Sequence, residues 1–369
     1  MATLTSMMLA SWPGGMWASL IKIFYSFITN YAWAVIVFTI CLKLILSPID
    51  FLQRRSTTKM QRAQIMMQPE MAKLQKKYGN NQKMLQEKQA ELYKKNGVNM
   101  GGSCLVMLLF MVSTLVIFIT LYNSLGTISK FKITDQYEQL RAEYYTTVGV
   151  DDFINRNYID LVGELETTSE DIKLTAEENV VNKYDEIKDS WLWVKNIWKS
   201  DTVTSEIPSF EEYVSASGIT FADIDTNSDG VMDLASADLK VAAEKEYNIV
   251  MKKLLAEHNG GNGYYILAVL VTLVSVMTQL VSQAMMRAKN KNSLQPQQKQ
   301  KPNWLMLILM PGIMLSFALT TNAAFTIYIL TNSLMSTLLI IPTTMISNAM
   351  DKRAERKREE KIAVDYRRK

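Results

Sequence analysis

Apolar residues in this chain gather into five stretches of about the length that crosses a bilayer, and this bunching limits the fold more than any other feature. The stretches are Tyr31–Ile49, Cys104–Leu125, Tyr264–Met286, Trp304–Leu319 and Ala323–Ile346. A helix needs roughly 20 mostly apolar residues to cross a hydrocarbon core about 30 Å thick. The last two stretches share an uncharged tract of 48 residues, Asn303 to Met350, which is too long for one pass and suits a tight helical hairpin. Pro311 and Pro342 fall inside it, where membrane helices tolerate proline better than soluble ones do. Composition alone would mislead, because 48% hydrophobic over 369 residues also fits a large soluble domain.

Within the first stretch, YAWAVIVFTICLKLILSPI, stands a lysine, Lys43. A charge at the centre of a membrane helix costs roughly 2.5–3.5 kcal/mol on insertion scales, so it is rarely left facing lipid. Thr39 and Ser47 lie four residues to either side, which puts all three on one helical face. The first span therefore carries a polar stripe that calls for water or an anion opposite it.

The net charge of +4 conceals a sharp segregation. Lys and Arg outnumber Asp and Glu by 11 to 3 over 52–103, by 5 to 0 over 287–303 and by 9 to 5 over 351–369, whereas 127–261 has 13 against 27. The positive-inside rule places the two basic loops and the tail in the cytoplasm. The acidic region then lies outside, and five spans put the N-terminus outside as well. The sequence predicts an all-α polytopic membrane protein with five transmembrane helices, N-terminus out and C-terminus in. Its parts are an N-terminal segment with an interfacial amphipathic helix (1–29), span one (30–51), a cytoplasmic basic helical hairpin (52–100), span two (104–125), an acidic extracytoplasmic region (126–262), span three (264–286), a cytoplasmic loop (287–303), spans four (304–320) and five (323–346), and a basic cytoplasmic tail (347–369).

Local patterns fill in this outline. The start, MATLTSMMLASWPGG, lacks the charged n-region and long apolar core of a cleavable signal. Gly15–Thr29 reads as an amphipathic helix with Lys22 on its polar side, or else as an extension of the first span. In the hairpin, Met67, Met71, Leu74 and Tyr78 recur at helical spacing, Gly79-Asn80-Asn81 signals a turn, and Leu85 and Leu92 continue the seam; Pro69 predicts a kink. Its basic residues suit either a solvated spacer near anionic headgroups or a docking surface for ribosomal RNA or targeting factors. Outside, SWLWVKNIWKSD (Trp-rich segment 191–201) predicts a segment at the membrane interface. Further on, DTNSDGVMDLAS (225–236) places Asp225, Asn227, Asp229 and Asp233 at positions 1, 3, 5 and 9, with Gly230 at the turn and the Val231 carbonyl between. That spacing resembles a calcium loop of the EF-hand or dockerin type, with Ser236 where a bidentate acid belongs. A Ca²⁺ site that orders the insert and an Asx-rich turn both stand as readings. Cys41 and Cys104 fall in apolar spans and suggest neither a disulfide nor a metal cluster.

Together, five spans, a basic hairpin after the first and an intramembrane cation resemble the YidC family of membrane protein insertases. LKLILSPIDFLQRRSTTKMQ carries the basic residue five positions before a proline; MMQPEMAKLQKKYG and LQEKQAELYKKNGVN match the hairpin; Trp191–Asp201 resembles the segment before the third span; LMPGIMLSF resembles the fourth. The chain departs from the family at several points: Lys43 stands where bacterial members have arginine, Met100 follows Gly-Val-Asn, Phe110-Met111-Val112 replaces Gln-Met-Pro, and Asn322-Ala323-Ala324 replaces Pro-Ala-Gly. Lysine keeps the charge and loses the planar fork that grips a carboxylate twice.

The resemblance implies a hydrophilic groove open to cytoplasm and lipid. Through it the short hydrophilic tail of a nascent membrane protein crosses, drawn by Lys43, while the apolar segment slides into lipid. Thr39, Ser47, Ser113, Thr114, Gln279, Asn322 and Asn332 are the candidate lining beside Lys43. Nucleotide hydrolysis and a resident cofactor are not expected, since no Walker-type loop is present. Expected partners are nascent membrane proteins, ribosomes or targeting factors at the hairpin and tail, a Sec-type translocon and the bilayer, and assistance in folding is a further expectation. The 23 methionines suit a surface accepting many apolar partners, as well as ordinary core filling. An enzyme is not expected, because the sole histidine, His258, lies in the acidic region with no nucleophile pattern beside it. Rival readings are a small secondary transporter using Lys43, against which no internal repeat is visible, and a ribosome-docking adaptor, which needs the hairpin but not the charge.

Overall fold

A computed structural model describes residues 12–95, 100–199, 206–225, 232–258, 262–290 and 304–368. Their regular structure is helical, and among them the only β-type pairings are two isolated bridges, Trp191 with Val194 and Ile224 with Leu234. Four helices are long and apolar enough to cross a membrane, within Tyr31–Thr57, Leu108–Val148, Gly263–Met285 and Ala323–Ser347. The fourth expected span appears as a 17-residue helix, Trp304–Thr320. At 1.5 Å per residue its described length is about 25 Å, short of a full hydrocarbon core.

Helix α1 (Met16–Phe27) is separated from α2 (Tyr31–Tyr78) by the extended Ile28 and by Asn30, whose side chain accepts from the Trp33 amide. It is therefore distinct from the first span. Met16, Leu20, Ile23 and Phe27 form an exposed apolar stripe at four- and three-residue steps, while Ala18 and Ile21 are buried against protein. Such a stripe is what a helix lying in the headgroup region presents to lipid.

The 48 residues of α2 join the first span and the first arm of the hairpin in one helix, with Pro48 and Pro69 inside it. The expected turn at Gly79–Asn81 is present: the Asn81 amide donates to Tyr78 O (2.9 Å), and its side chain accepts from the Met84 amide to cap α3 (Gln82–Lys95). A Cβ at Gly79 would lie 2.6 Å from the Gln75 carbonyl oxygen, so the turn requires glycine. Met67 and Leu92 of the expected seam are buried.

Helix α4 (Met100–Val148) likewise runs on from the second apolar stretch into the acidic region. There it joins a helical domain with α5 (Tyr158–Thr167), α6 (Glu170–Ile187), α7 (Phe210–Ser217), α8 (Ser236–Val250) and α9 (Lys252–Glu257). Helix α5 packs on α8, and α9 on α6. The core is tyrosine-rich, with Tyr137, Tyr144, Tyr145, Tyr184, Tyr213 and Tyr247 among Leu140, Leu161, Val180, Val250 and Leu254. The remaining helices are α10 (Gly263–Asn290), α11 (Trp304–Thr320) and α12 (Ala323–Arg368). By internal contacts the chain forms two compact units, one of Met1–Phe38, Thr120–Thr272 and Gly312–Leu330, the other of Thr39–Ile119, Leu273–Pro311 and Thr331–Lys369.

In the first unit most of the Trp-rich segment is buried against protein. Trp198 is buried with its ring centroid 4.3 Å from that of Tyr31, and Trp191 is buried as well. The Trp191–Val194 bridge pushes a tip outward on which Leu192, held at φ 53°, and Trp193 are exposed. Contact with Tyr31 thus fixes Trp198, while the tip stays exposed.

Candidate functional site

Proline at position 48 removes the amide that would donate to the Leu44 carbonyl one turn earlier. Ser47 supplies the missing donor, its hydroxyl lying 2.8 Å from Leu44 O. This local substitution explains how α2 continues through Pro48, and it commits the Ser47 hydroxyl to its own backbone. The helix that persists carries Lys43 and Asp50 on one face, seven residues apart. The Lys43 ammonium meets the Asp50 carboxylate at 2.6 Å, with the two side chains 15% and 29% exposed. Thr39, one turn earlier on this face, is buried.

The stripe that calls for an anion thus already contains one, in a residue that sequence reasoning passed over. The signal was present: a seven-residue step returns to within about 20° of the same helical face. Both side chains of the pair retain some accessible surface. Exposed neighbours Leu44, Ile45 and Ile49 are all apolar.

The other candidates are scattered. Thr39, Ser47, Ser113, Thr114, Gln279 and Asn332 belong to the same unit as Lys43, whereas Asn322 belongs to the other. Ser113 and Thr114 are exposed on α4, and the Thr114 hydroxyl is spent on its own helix, donating to Phe110 O at 2.8 Å. Gln279 and Asn332 are half-buried on α10 and α12. Asn322 caps a helix, its side chain accepting from the Phe325 amide at 2.8 Å at the start of α12. A short tie between Thr278 and Thr337 hydroxyls (2.5 Å) links α10 to α12 in the Lys43 unit, and neither residue was anticipated.

Of the calcium-type loop, Asn227, Asp229 and Val231 lie outside the described residues. Asp225 and Asp233 stand just inside the Ile224–Leu234 bridge, which pins the two ends of the loop together. Among the described residues no group of three or more His, Cys, Asp or Glu is placed to hold a metal ion. Below the bridge, Asp223 accepts from the Ser236 amide at 2.7 Å and caps α8, and that bond holds its carboxyl below the usual aspartate range.

Two buried charge clusters in the acidic domain also escaped sequence reasoning. Arg141 and Glu246, each 1% exposed, pair at 2.7 Å, and the same glutamate oxygen accepts from the Tyr145 hydroxyl at 2.6 Å. Glu138 completes the knot, 3.6 Å from Arg141 and accepting from Tyr213 at 2.7 Å. Burial pushes the Glu138 carboxyl upward despite its cationic neighbour. In the second cluster, buried Glu206 meets His258 Nδ1 at 2.5 Å and Lys195 at 3.2 Å, with the Tyr184 ring edge-on to the imidazole. An acid–histidine pair so arranged ties the end of α9 to the segment before α7.

The family model described as 60Kd inner membrane protein matches residues 23–353. Curated relatives named membrane protein insertase YidC align over shorter stretches. The protein from Leptospira interrogans serogroup Icterohaemorrhagiae serovar Lai is 39% identical over 106 residues, 28% of this chain and 16% of its own length. That from Clostridium perfringens strain 13 / Type A is 43% identical over 82 residues, 22% of this chain and 33% of its own. That from Helicobacter pylori strain 26695 is 34% identical over 105 residues, 28% and 18% respectively. The aligned stretches thus cover a third or less of these relatives. No solved structure shows significant similarity to the chain.

Proposed function

The chain belongs to the 60Kd inner membrane protein (YidC/Oxa1) family and is a multi-pass membrane protein, and from that premise we propose that it inserts nascent membrane proteins by giving their short hydrophilic tails a wet, cationic path. In this reading the basic hairpin and tail lie in the cytoplasm, the acidic domain lies outside, and α11 completes a fifth pass. The carrying observation is the setting of Lys43: a cation within an apolar helix, paired with a carboxylate and still accessible. A fixed positive charge in a hydrated recess shortens the apolar distance that an acidic tail must cross. The substrate's apolar segment then moves into lipid, and its transfer supplies the driving force at roughly 25 cal/mol per Å² removed from water. No covalent step and no nucleotide is involved, so the protein acts as a conduit and folding aid instead of an enzyme.

Thr39 and Gln279 extend the polar lining in this reading, while Ser47, Thr114 and Asn322 serve their own helices. Ribosomes or targeting factors dock at the basic hairpin and tail, and a Sec-type channel is a further partner. A Ca²⁺ ion in the 225–233 loop would order the outer domain without taking part in insertion.

The test is reconstitution of the full chain in liposomes with a single-span substrate bearing an acidic tail. K43A should lower insertion by about tenfold, equivalent to roughly 1.4 kcal/mol at the crossing step, while K43R should match or exceed the parent. Equal insertion by K43A and the parent would refute the reading. Unchanged ribosome binding with no insertion by any variant would favour the adaptor.

A further inference from the structure

Asp50 has no role in the reading above, yet it is the group that Lys43 touches. Seven residues correspond to a rise of about 10.5 Å along the helix. The lysine must therefore extend its side chain along α2 towards Asp50, whose own Cβ tilts back toward the N-terminus. The 2.6 Å contact is a charge-assisted hydrogen bond. The chemistry that Lys43 would offer an acidic tail is the chemistry it already offers Asp50.

We propose that Asp50 is a specificity-determining residue: its carboxylate occupies Lys43 in the resting protein and must be displaced by the carboxylates of an incoming tail. The proposal rests on the insertase reading and deepens it by naming the substrate class, tails with more than one acidic group. A single carboxylate offers Lys43 nothing that Asp50 does not, so it displaces Asp50 poorly. Two or three held close together raise the local concentration of competing anions and shift the exchange. Neither side chain is sealed, so a competing carboxylate has room to approach the pair.

The test uses the full chain in liposomes and three single-span substrates with no, one or three carboxylates in the tail. D50N should raise insertion of the one-carboxylate tail by about two- to fivefold, that of the three-carboxylate tail by less, and that of the neutral tail not at all. D50E should resemble the parent, and the D50N gain should vanish when K43A is added. An equal change on all three tails, a loss on the acidic ones, or a gain that survives K43A would overturn the proposal. If D50N fails to fold, the unaltered protein still decides: it should insert the three-carboxylate tail at least twofold faster than the one-carboxylate tail, and equal rates would overturn the idea. If K43A alone leaves every tail inserting at the parental rate, the insertase reading fails instead.

Discussion

Removing Glu246 should cost the acidic domain more stability than any other single change to a charged side chain. Its Oε1 accepts from Arg141 Nε and from the Tyr145 hydroxyl, and both members of the ion pair are 1% exposed. E246A strands a guanidinium whose remaining carboxylate, Glu138, is 3.6 Å away. Breaking one side of a buried pair costs about 3–5 kcal/mol, against a typical domain stability of about 5–15 kcal/mol. E246Q keeps an acceptor for both donors and loses only the charge, so the difference between charged and neutral bonds suggests a milder cost of about 1–2 kcal/mol. R141M should add a pH dependence. It leaves Glu138 and Glu246 buried without their cation, and burial already raises the Glu138 carboxyl. A carboxyl raised in the native state binds more protons there than in the unfolded chain. Stability of R141M should therefore fall as pH rises from about 4 through the native pKa. Native-state hydrogen exchange of α5 and α8 amides in the detergent-solubilised full chain gives these free energies directly. The double change R141M/E246L should recover most of the loss, because a matched apolar pair avoids desolvating charge. A cost below about 1 kcal/mol for E246A would mean that water reaches the pair, and the argument would be wrong.

Two further outcomes follow from single bonds. S47A leaves the Leu44 carbonyl without its substitute donor and should destabilise α2 by about 1–3 kcal/mol; in a P48A background, where the amide returns, the same change should be nearly silent in thermal unfolding of the solubilised protein. Asp223 caps α8 through the Ser236 amide, and its native carboxyl titrates below the aspartate range. That cap should be at full strength above about pH 4 and weaken as pH falls through the native pKa, so Ser236 amide protection, corrected for intrinsic exchange, should drop in acid for the parent and stay uniformly low for D223A.

The membrane character of the chain was legible because it depends on composition over some 20 residues, which burial against protein does not alter. The turn at Gly79–Asn81 was legible for a local reason, since a capping asparagine and a close backbone approach are written in adjacent residues, whereas the break at Asn30 left two readings open. Helix continuity was not legible. The sequence places a boundary at 51/52, where α2 runs on to Tyr78, and the second span gives no sign that its helix persists to Val148. The packing of Trp198 on Tyr31 was not legible either, because the two lie far apart in the chain. Arg141 and Glu246 are 105 positions apart, and no local pattern distinguishes them from the many solvated charges around them.

Two ion pairs of similar length therefore have opposite consequences, and exposure separates them. At Arg141–Glu246 the contact is 2.7 Å and both side chains are sealed; any intruding anion would have to unpack the tyrosine core to reach the guanidinium. At Lys43–Asp50 the contact is 2.6 Å, yet the side chains keep 15% and 29% of their surface. A sealed pair resists removal of one partner by about 3–5 kcal/mol. In the proposed step, exchange of partners is open to Lys43 and closed to Arg141. A cation that must release one carboxylate to greet another can work only while the pair stays accessible. On the proposed mechanism, sealing Lys43 as thoroughly as Arg141 would abolish its use.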